Sequence, residues 1–216
     1  TSIYLNKTTD SFQFVRRGTG VEVNDVEVIQ STPINLATEY RTGFEFTLNY
    51  SPYKWWKLNS NFNFFRVETQ GDFTYTDLAG DEITQNFDNV ATTWSTRLSS
   101  KVSLPYKIDW QTNLNYNGPQ NNAQGRSLGV FAANLAFSKD VLKDKGTIAL
   151  NVSDLFNSRK RIMETNLATV NSYSEMQWRE RQVTLSFTYR FNKPKNDKEK
   201  PKRTQQDNGD GGDFPG

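Results

Sequence analysis

Apolar residues recur at every second position in segment after segment of this chain, and that period constrains it more than any other feature. Successive side chains of a strand point to opposite faces, whereas an amphipathic helix needs apolar residues every three to four positions. In residues 92–104, Trp94, Leu98, Val102 and Leu104 share one face with Thr96 and Ser100. Thr93, Ser95, Arg97, Ser99, Lys101 and Ser103 take the other. Residues 40–50 set Tyr40, Phe44, Phe46, Leu48 and Tyr50 against Arg41, Gly43, Glu45, Thr47 and Asn49. The same pattern runs through 56–64, 108–117, 128–138, 147–153 and a last segment ending at Phe191. Residues 2–15 make a weaker eighth segment, whose phase the sequence leaves open.

The connections alternate in length. Short ones fall at 51–54, 105–107 and 140–145; long ones are expected over 16–39, 65–91, 118–127 and 154–175. An antiparallel up-and-down meander follows, because consecutive antiparallel strands are joined by alternating turns at the two sheet ends. In outer-membrane barrels the short turns are periplasmic and the long loops extracellular. That rule places the 140–145 turn and the end of the last strand in the periplasm.

Aromatic residues make up 13% of a chain that is only 35% hydrophobic, and they cluster toward segment ends. Tyr50, Trp55, Trp56, Trp110 and Tyr189 gather at the short-turn end, and Tyr40, Trp94 and Tyr116 toward the long-loop end. Ten residues at about 3.3 Å each, tilted by about 40°, cover about 25 Å, the height of a barrel's apolar band. Two aromatic girdles are expected, which a soluble sandwich or lipocalin-like barrel has no use for. No run approaches the roughly 18 apolar residues of a membrane helix. The fold class expected is all-β, an antiparallel up-and-down transmembrane β-barrel with about eight strands in this chain and belonging to a larger barrel. Its location is the bacterial outer membrane and its first partner outer-membrane lipid.

Other chemistries are sparsely represented. The net charge is +2 with dispersed basic residues, leaving no footprint for nucleic acid. With no histidine and no cysteine, no histidine-assisted nucleophile, thiol or histidine-bound zinc is available, so no enzyme, cofactor or metal is expected. Asp72, Asp77, Asp81, Glu82 and Asp88 match no calcium-loop spacing and read as a solvated acidic loop. Arg41, Glu45, Lys57, Arg97, Lys101, Asp109 and Arg190 fall on the polar faces. Charge at membrane depth faces the interior, so these are the lumen candidates, for contact with a plug or ligand or for mutual salt bridges. Asp154 to Asn157 reads as an ordered turn that stabilises its own loop. Residues 192–216, rich in Lys, Asp, Gly and Pro, are expected to form a disordered periplasmic tail. No leader stands at Thr1, so an export signal is expected to lie upstream or to have been removed.

Four stretches carry a family resemblance: SPYKWWKLNSNFNFFR (51–66), TTWSTRLSSKVSLPYKIDWQTNLNYNGP (92–119), FSKDVLKDKGTIALNVSDLFNSRK (137–160) and YSEMQWRERQVTLSFTYRF (173–191). They resemble the C-terminal barrel of TonB-dependent receptors, closest to the outer-membrane β-barrel family common in Bacteroidota, over roughly residues 1–191. The resemblance implies a barrel of about 22 strands around an N-terminal plug, importing a ligand with energy delivered by TonB. It also implies as partners the remaining receptor strands and plug, a surface lipoprotein, and the barrel assembly machinery, which would read Phe187, Tyr189 and Phe191 as its signal. These residues include neither plug nor TonB-contacting segment. A receptor fragment, one chain of a complex, and a small self-closed eight-stranded barrel of structural or adhesive role therefore stay open.

Overall fold

The structure is a computed structural model and describes residues 1–76, 80–167 and 170–191. Its strands, in chain order, begin with β1 (Ser2–Val23), β2 (Val26–Tyr53), β3 (Trp56–Gln70), β4 (Asp72–Thr76) and β5 (Glu82–Asn86). They continue with β6 (Asn89–Leu104), β7 (Ile108–Asn117), β8 (Gln120–Asn122), β9 (Gly125–Ser127) and β10 (Val130–Val141). The last are β11 (Gly146–Ser153), β12 (Arg161–Asn166), β13 (Asn171–Met176) and β14 (Gln182–Tyr189).

Eight of them form one antiparallel sheet in the order β1-β2-β3-β6-β7-β10-β11-β14, the meander that the alternating connections require. Its register keeps the two faces distinct across every strand. Lys57, Asn59, Asn61 and Asn63 stand opposite Lys101, Ser99, Arg97 and Ser95, and the last three lie opposite Asn113, Asn115 and Asn117 in their turn. On the other face Phe64 meets Trp94, Leu98 meets Leu114 and Val102 meets Trp110. A slip of one residue would exchange the two faces, so this alternation itself fixes the pairing. β1 takes its phase from β2: Ile3 lies opposite Phe44 on the apolar face, and Tyr4 opposite Gly43 on the polar one. The Tyr4 hydroxyl then crosses β2 to Asn63 Oδ1 at 3.0 Å, over a glycine that leaves room for the ring.

Residues 16–39, expected as a long loop, are strand instead. β1 and β2 continue upward as a hairpin and turn at Asn24 and Asp25, whose φ values of 52° and 60° are the left-handed pair of a tight two-residue turn. Asn and Asp tolerate that conformation better than most side chains. The flanking VEV-ND-VEV is symmetric about the turn, a hairpin signal present in the sequence. Pro33 sits within β2, but pairing with β3 begins only at Thr38, so no ladder bond on that side is lost. Irregular register between Thr8 and Phe12, with Asp10 at φ 55°, separates the regular lower hairpin from this extension. Residues 65–91 likewise hold the end of β3, the β4–β5 hairpin and the start of β6.

The loops 118–127 and 154–175 are also structured. β8, β9, β12 and β13 form a second sheet, in the order β13-β12-β9-β8. It is a layer built wholly from the connections at the long-loop end. Val15, Ala37, Val67 and Ala91, one from each of four adjacent wall strands, are buried in this half together with Phe87. In the short-turn half, by contrast, Lys57, Asn59 and Asn61 remain exposed on the polar face.

Candidate functional site

The loop sheet is held in place by a glutamine. Gln124, in the β8–β9 turn, is 3% exposed, and each of its polar groups is satisfied. Its backbone N–H donates to Asn122 Oδ1 at 2.9 Å, and its carbonyl accepts from Asn166 N at 2.8 Å. Its side-chain amide accepts from Arg16 N at 2.9 Å and donates to Arg16 O at 2.6 Å. The N–H and C=O of one strand residue point to the same side, and β2 occupies only one side of β1. Gln124 therefore occupies the place of a neighbouring strand's peptide on the other edge of β1. The sheet order separates β1 from β7 by β2, β3 and β6, so the loop after β7 crosses three strands to reach it. Asn89 Nδ2 donates to Asn121 O at 3.0 Å on the way.

The loop sheet is tied together internally as well. Arg126 Nε donates to Glu164 Oε2 at 2.6 Å, and Lys160 Nζ to Glu175 Oε1 at 2.6 Å. The hydrogen bond and charge of Lys160 hold the Glu175 carboxyl below the ordinary glutamate value, and those of Glu175 raise the Lys160 ammonium. Gly125 faces β12 where a Cβ would overlap Glu164 O and lie 2.9 Å from Thr165 Cα, so only glycine permits this approach of backbone to backbone.

Between the loop sheet and the wall lies a cavity of about 620 Å³, within the size range of small-molecule sites. Its charged lining consists of Arg16 from β1, Glu39 and Arg41 from β2, and Arg161 from β12. Glu39 and Arg41 pair at 3.2 Å. Arg41 also lies 5.1 Å from the Phe65 ring centroid, and Arg16 lies 6.0 Å from that of Phe14. Burial, and after it the like charge of Arg161, hold the Arg16 guanidinium below the ordinary arginine value.

Of the charges singled out from sequence, Arg41 alone lines this cavity. Arg97, Lys101 and Asp109 share the polar face lower down, where Lys101 and Asp109 pair at 3.1 Å and Arg97 Nε donates to Asn115 Oδ1 at 3.0 Å. Lys57 stands directly opposite Lys101, and Glu45 opposite Asn63. These are local contacts spread along the wall rather than one cluster. Arg190 lies past the end of β14, with its N–H on Lys145 O at 2.7 Å and its guanidinium on Asp144 O at 3.3 Å, so it belongs to the short turn. Arg16, Glu39, Gln124 and Arg161 escaped the sequence reading because each sits in a stretch expected to be loop.

The aromatic positions form stacks on the apolar face and at the turns. Trp94 lies 4.4 Å from Tyr116 between ring centroids, Trp110 lies 5.7 Å from Phe137, and Tyr189 lies 4.8 Å from Phe191. Trp55 stands between Tyr53 at 5.1 Å and Trp56 at 6.3 Å, and Trp56 Nε1 donates to Ser100 Oγ. Tyr40 lies beneath Lys7, whose ammonium is 5.4 Å from the ring centroid, and Tyr50 pairs with Leu58. Phe187 leans on Gly146, with a ring carbon 3.1 Å from where a Cβ would stand.

The Asp154 turn ties two loops to the wall. Its carboxylate accepts from Ser158 N and Arg159 N, both at 3.0 Å, and its N–H donates to Asn134 Oδ1 at 2.8 Å. Asn157 Oδ1 accepts from Gln177 Nε2 and Arg181 N. In the acidic hairpin Asp72 pairs with Asn86, and Asp88 accepts from Gly71 N at 3.0 Å; Asp77 lies outside the described residues, as does the 192–216 tail. Among the described residues no group of three acidic, histidine or cysteine side chains is placed to hold a metal ion.

An antiparallel meander whose one face is continuously apolar and aromatic, and whose other face is polar and small, is the wall of an outer-membrane barrel. The match of residues 1–189 to the outer membrane protein beta-barrel family agrees, and the chain belongs to that family. It is thus a protein of the bacterial outer membrane, set among membrane lipid. Comparison with curated proteins and with solved structures gave no match.

Proposed function

We propose that the chain is the C-terminal part of the barrel of a TonB-dependent receptor of Bacteroidota type, an importer rather than an enzyme. The observation that carries this reading is the open sheet: among the described residues β1 pairs only with β2, and β14 only with β11. A strand edge in hydrocarbon leaves backbone N–H and C=O groups without partners at several kcal/mol each, so spanning sheets close. A receptor supplies the closing strands from elsewhere. The small side chains of the polar face, Ser95, Ser99, Ser103, Thr47 and Thr184, agree, because a closed eight-stranded barrel is normally filled by its own side chains. In this reading the polar face lines the lumen, and Arg41, Glu45, Lys57, Arg97, Lys101 and Asp109 face a plug through which TonB acts. The stacked aromatics become girdles. Phe187, Tyr189 and Phe191 carry the signal for the assembly machinery, and a surface lipoprotein meets the projecting strands.

The chain has no cysteine, so a direct test is open once any cysteine elsewhere in the full-length protein is replaced by serine. Single cysteines are placed along the lower β1 edge, from Ile3 to Lys7, and paired with single cysteines along β14, from Val183 to Tyr189, in the full-length protein in cells. No β1–β14 disulfide in any register is expected. Efficient crosslinking in one register would establish a self-closed eight-stranded barrel and end the receptor reading.

A further inference from the structure

We infer that the rim above β11 and β14 holds a phosphate-bearing glycolipid of the outer leaflet, with Arg179 and Arg181 on its phosphate and Phe131 and Phe156 against its acyl chains. The patch starts as a continuation of the lipid face. Trp94 packs on Tyr116, Tyr116 stands opposite Phe131, and the Phe131 ring lies 6.0 Å from that of Phe156 between centroids. The aromatic row at the long-loop end thus runs on past β10 to the turn above β11. Phe156 is 62% exposed, yet the chain around it is fixed: Leu155 N donates to Ala133 O at 2.7 Å, and Ser158 Oγ donates to Phe131 O at 2.6 Å. An exposed ring held at the top of an apolar face belongs where hydrocarbon gives way to headgroups. By the rule of short turns and long loops, that boundary is the outward one.

Two arginines stand beside these rings. Arg179 and Arg181 precede β14 and carry the parity of Val183, Leu185 and Phe187, its apolar-face residues. The Arg181 N–H donates to Asn157 Oδ1 at 2.9 Å, and its guanidinium reaches Leu155 O, one residue from Phe156, at 3.4 Å. Both arginines are exposed, and among the described residues neither forms a salt bridge. The charge of Glu180, between them in sequence, reaches Lys160 beside β12, and the buried Asp154 carboxylate is taken by Ser158 N and Arg159 N. Arg66 and Lys7, in phase with the same face on β3 and β1, are by contrast occupied: Arg66 pairs with Glu68 at 3.4 Å, and Lys7 lies over Tyr40. A guanidinium fork suits a phosphate, which accepts parallel charge-assisted hydrogen bonds from it. A glycolipid of the outer leaflet carries its phosphate where sugar meets acyl chain, and so presents charge and hydrocarbon together, as the rim does. Trp178, 81% exposed in the same segment, adds an interfacial indole.

The inference rests on the outer-membrane family and on the outward direction of the long loops, so it stands whether or not the importer reading does. Native mass spectrometry of the full-length protein in neutral detergent compares three probes: monophosphorylated lipid A, the same lipid A with its phosphate removed, and soluble glucosamine 1-phosphate. The phosphorylated lipid is expected to bind about tenfold more tightly than the dephosphorylated one, the order of one hydrogen bond to a charged group. Glucosamine 1-phosphate is expected to show no measurable binding. The double variant Arg179→Gln, Arg181→Gln is expected to remove the preference and leave the dephosphorylated lipid bound as before. Phe156→Ser is expected to weaken both lipids alike, and Arg66→Gln to leave both unchanged. Heat-modified gel mobility of each variant shows that the barrel has folded. Equal binding of the two lipids overturns the proposal, as does an equal loss of preference in Arg66→Gln, which would mean a diffuse charge effect. Tight binding of glucosamine 1-phosphate that survives Phe156→Ser also overturns it, since the rim would then be a site for soluble phosphate.

Discussion

The two halves of the wall are built from the same strands but solve different problems. In the short-turn half, ladder bonds join each strand to its neighbour, the apolar face turns to lipid, and the polar face carries contacts along the wall such as Lys101 with Asp109. In the long-loop half the strands outlast the membrane. β2 has 28 residues, where about 9–11 suffice to cross, and a second layer covers the polar face. The lower half is specified by which face meets lipid; the upper half is specified by particular buried polar groups. Below, side chains of like polarity can replace one another. Above, particular hydrogen bonds hold the layer, those of the Gln124 amide to Arg16 and of Asn89 to Asn121 among them.

The largest expected effect breaks the lower half through its faces. Leu98 stands opposite Leu114 on the apolar face, and its neighbour Ser99 stands opposite Asn113 on the polar face. Leu98→Arg is expected to destabilise the folded barrel by about 2–4 kcal/mol in lipid, the cost of a charge at the bilayer midplane. Ser99→Arg is expected to cost far less. Urea titration in phospholipid vesicles compares them, and equal losses would mean that the faces have been assigned the wrong way round.

A smaller and more local effect is expected above. Gln124→Leu keeps the volume but removes both partners of the Arg16 backbone, at about 1–3 kcal/mol for the buried groups left without hydrogen bonds. Hydrogen exchange should accelerate at Arg16 and through 120–127 while the lower strands keep their protection. Loss of protection in β6 and β7 as well would show that the layer and the wall fold as one unit.

The smallest effect sharpens the contrast through pH. Because the bridge to Lys160 holds Glu175 below its ordinary value, its contribution is complete above the unfolded glutamate value. It is lost as pH falls through the lowered one. The Lys160 side of the same bridge is lost only as pH rises through its raised value. An NMR titration of the Glu175 carboxyl should give a midpoint below that of an ordinary glutamate, and Lys160→Met should return it. An unchanged midpoint in the variant would remove Lys160 as the cause.

The lower half was legible because its information is periodic. Strands 40–50, 56–64, 92–104 and 108–117 lie within β2, β3, β6 and β7, and Gly43 and Asn63 occupy the face their parity assigned. The site was less legible. Arg41 was visible as an inward charge of a regular strand, but Arg16 lies in the 16–39 stretch expected to be loop, beyond the irregular register at Thr8 to Phe12, after which β1 resumes the same register on β2. Gln124 gives no periodic signal, since its role depends on Arg16, 108 residues away in sequence.

The sequence by itself determined the class of wall, the order of its strands and, in the seven clearly alternating segments, the face each residue takes, because alternation and turn length are local properties that a two-fold period turns directly into geometry. Tertiary structure alone decided that the long connections fold back as a layer, that Gln124 takes the edge of β1, and that Arg16 and Arg161 share a cavity. Those outcomes depend on pairings between distant segments, and no local pattern encodes which buried donor meets which acceptor.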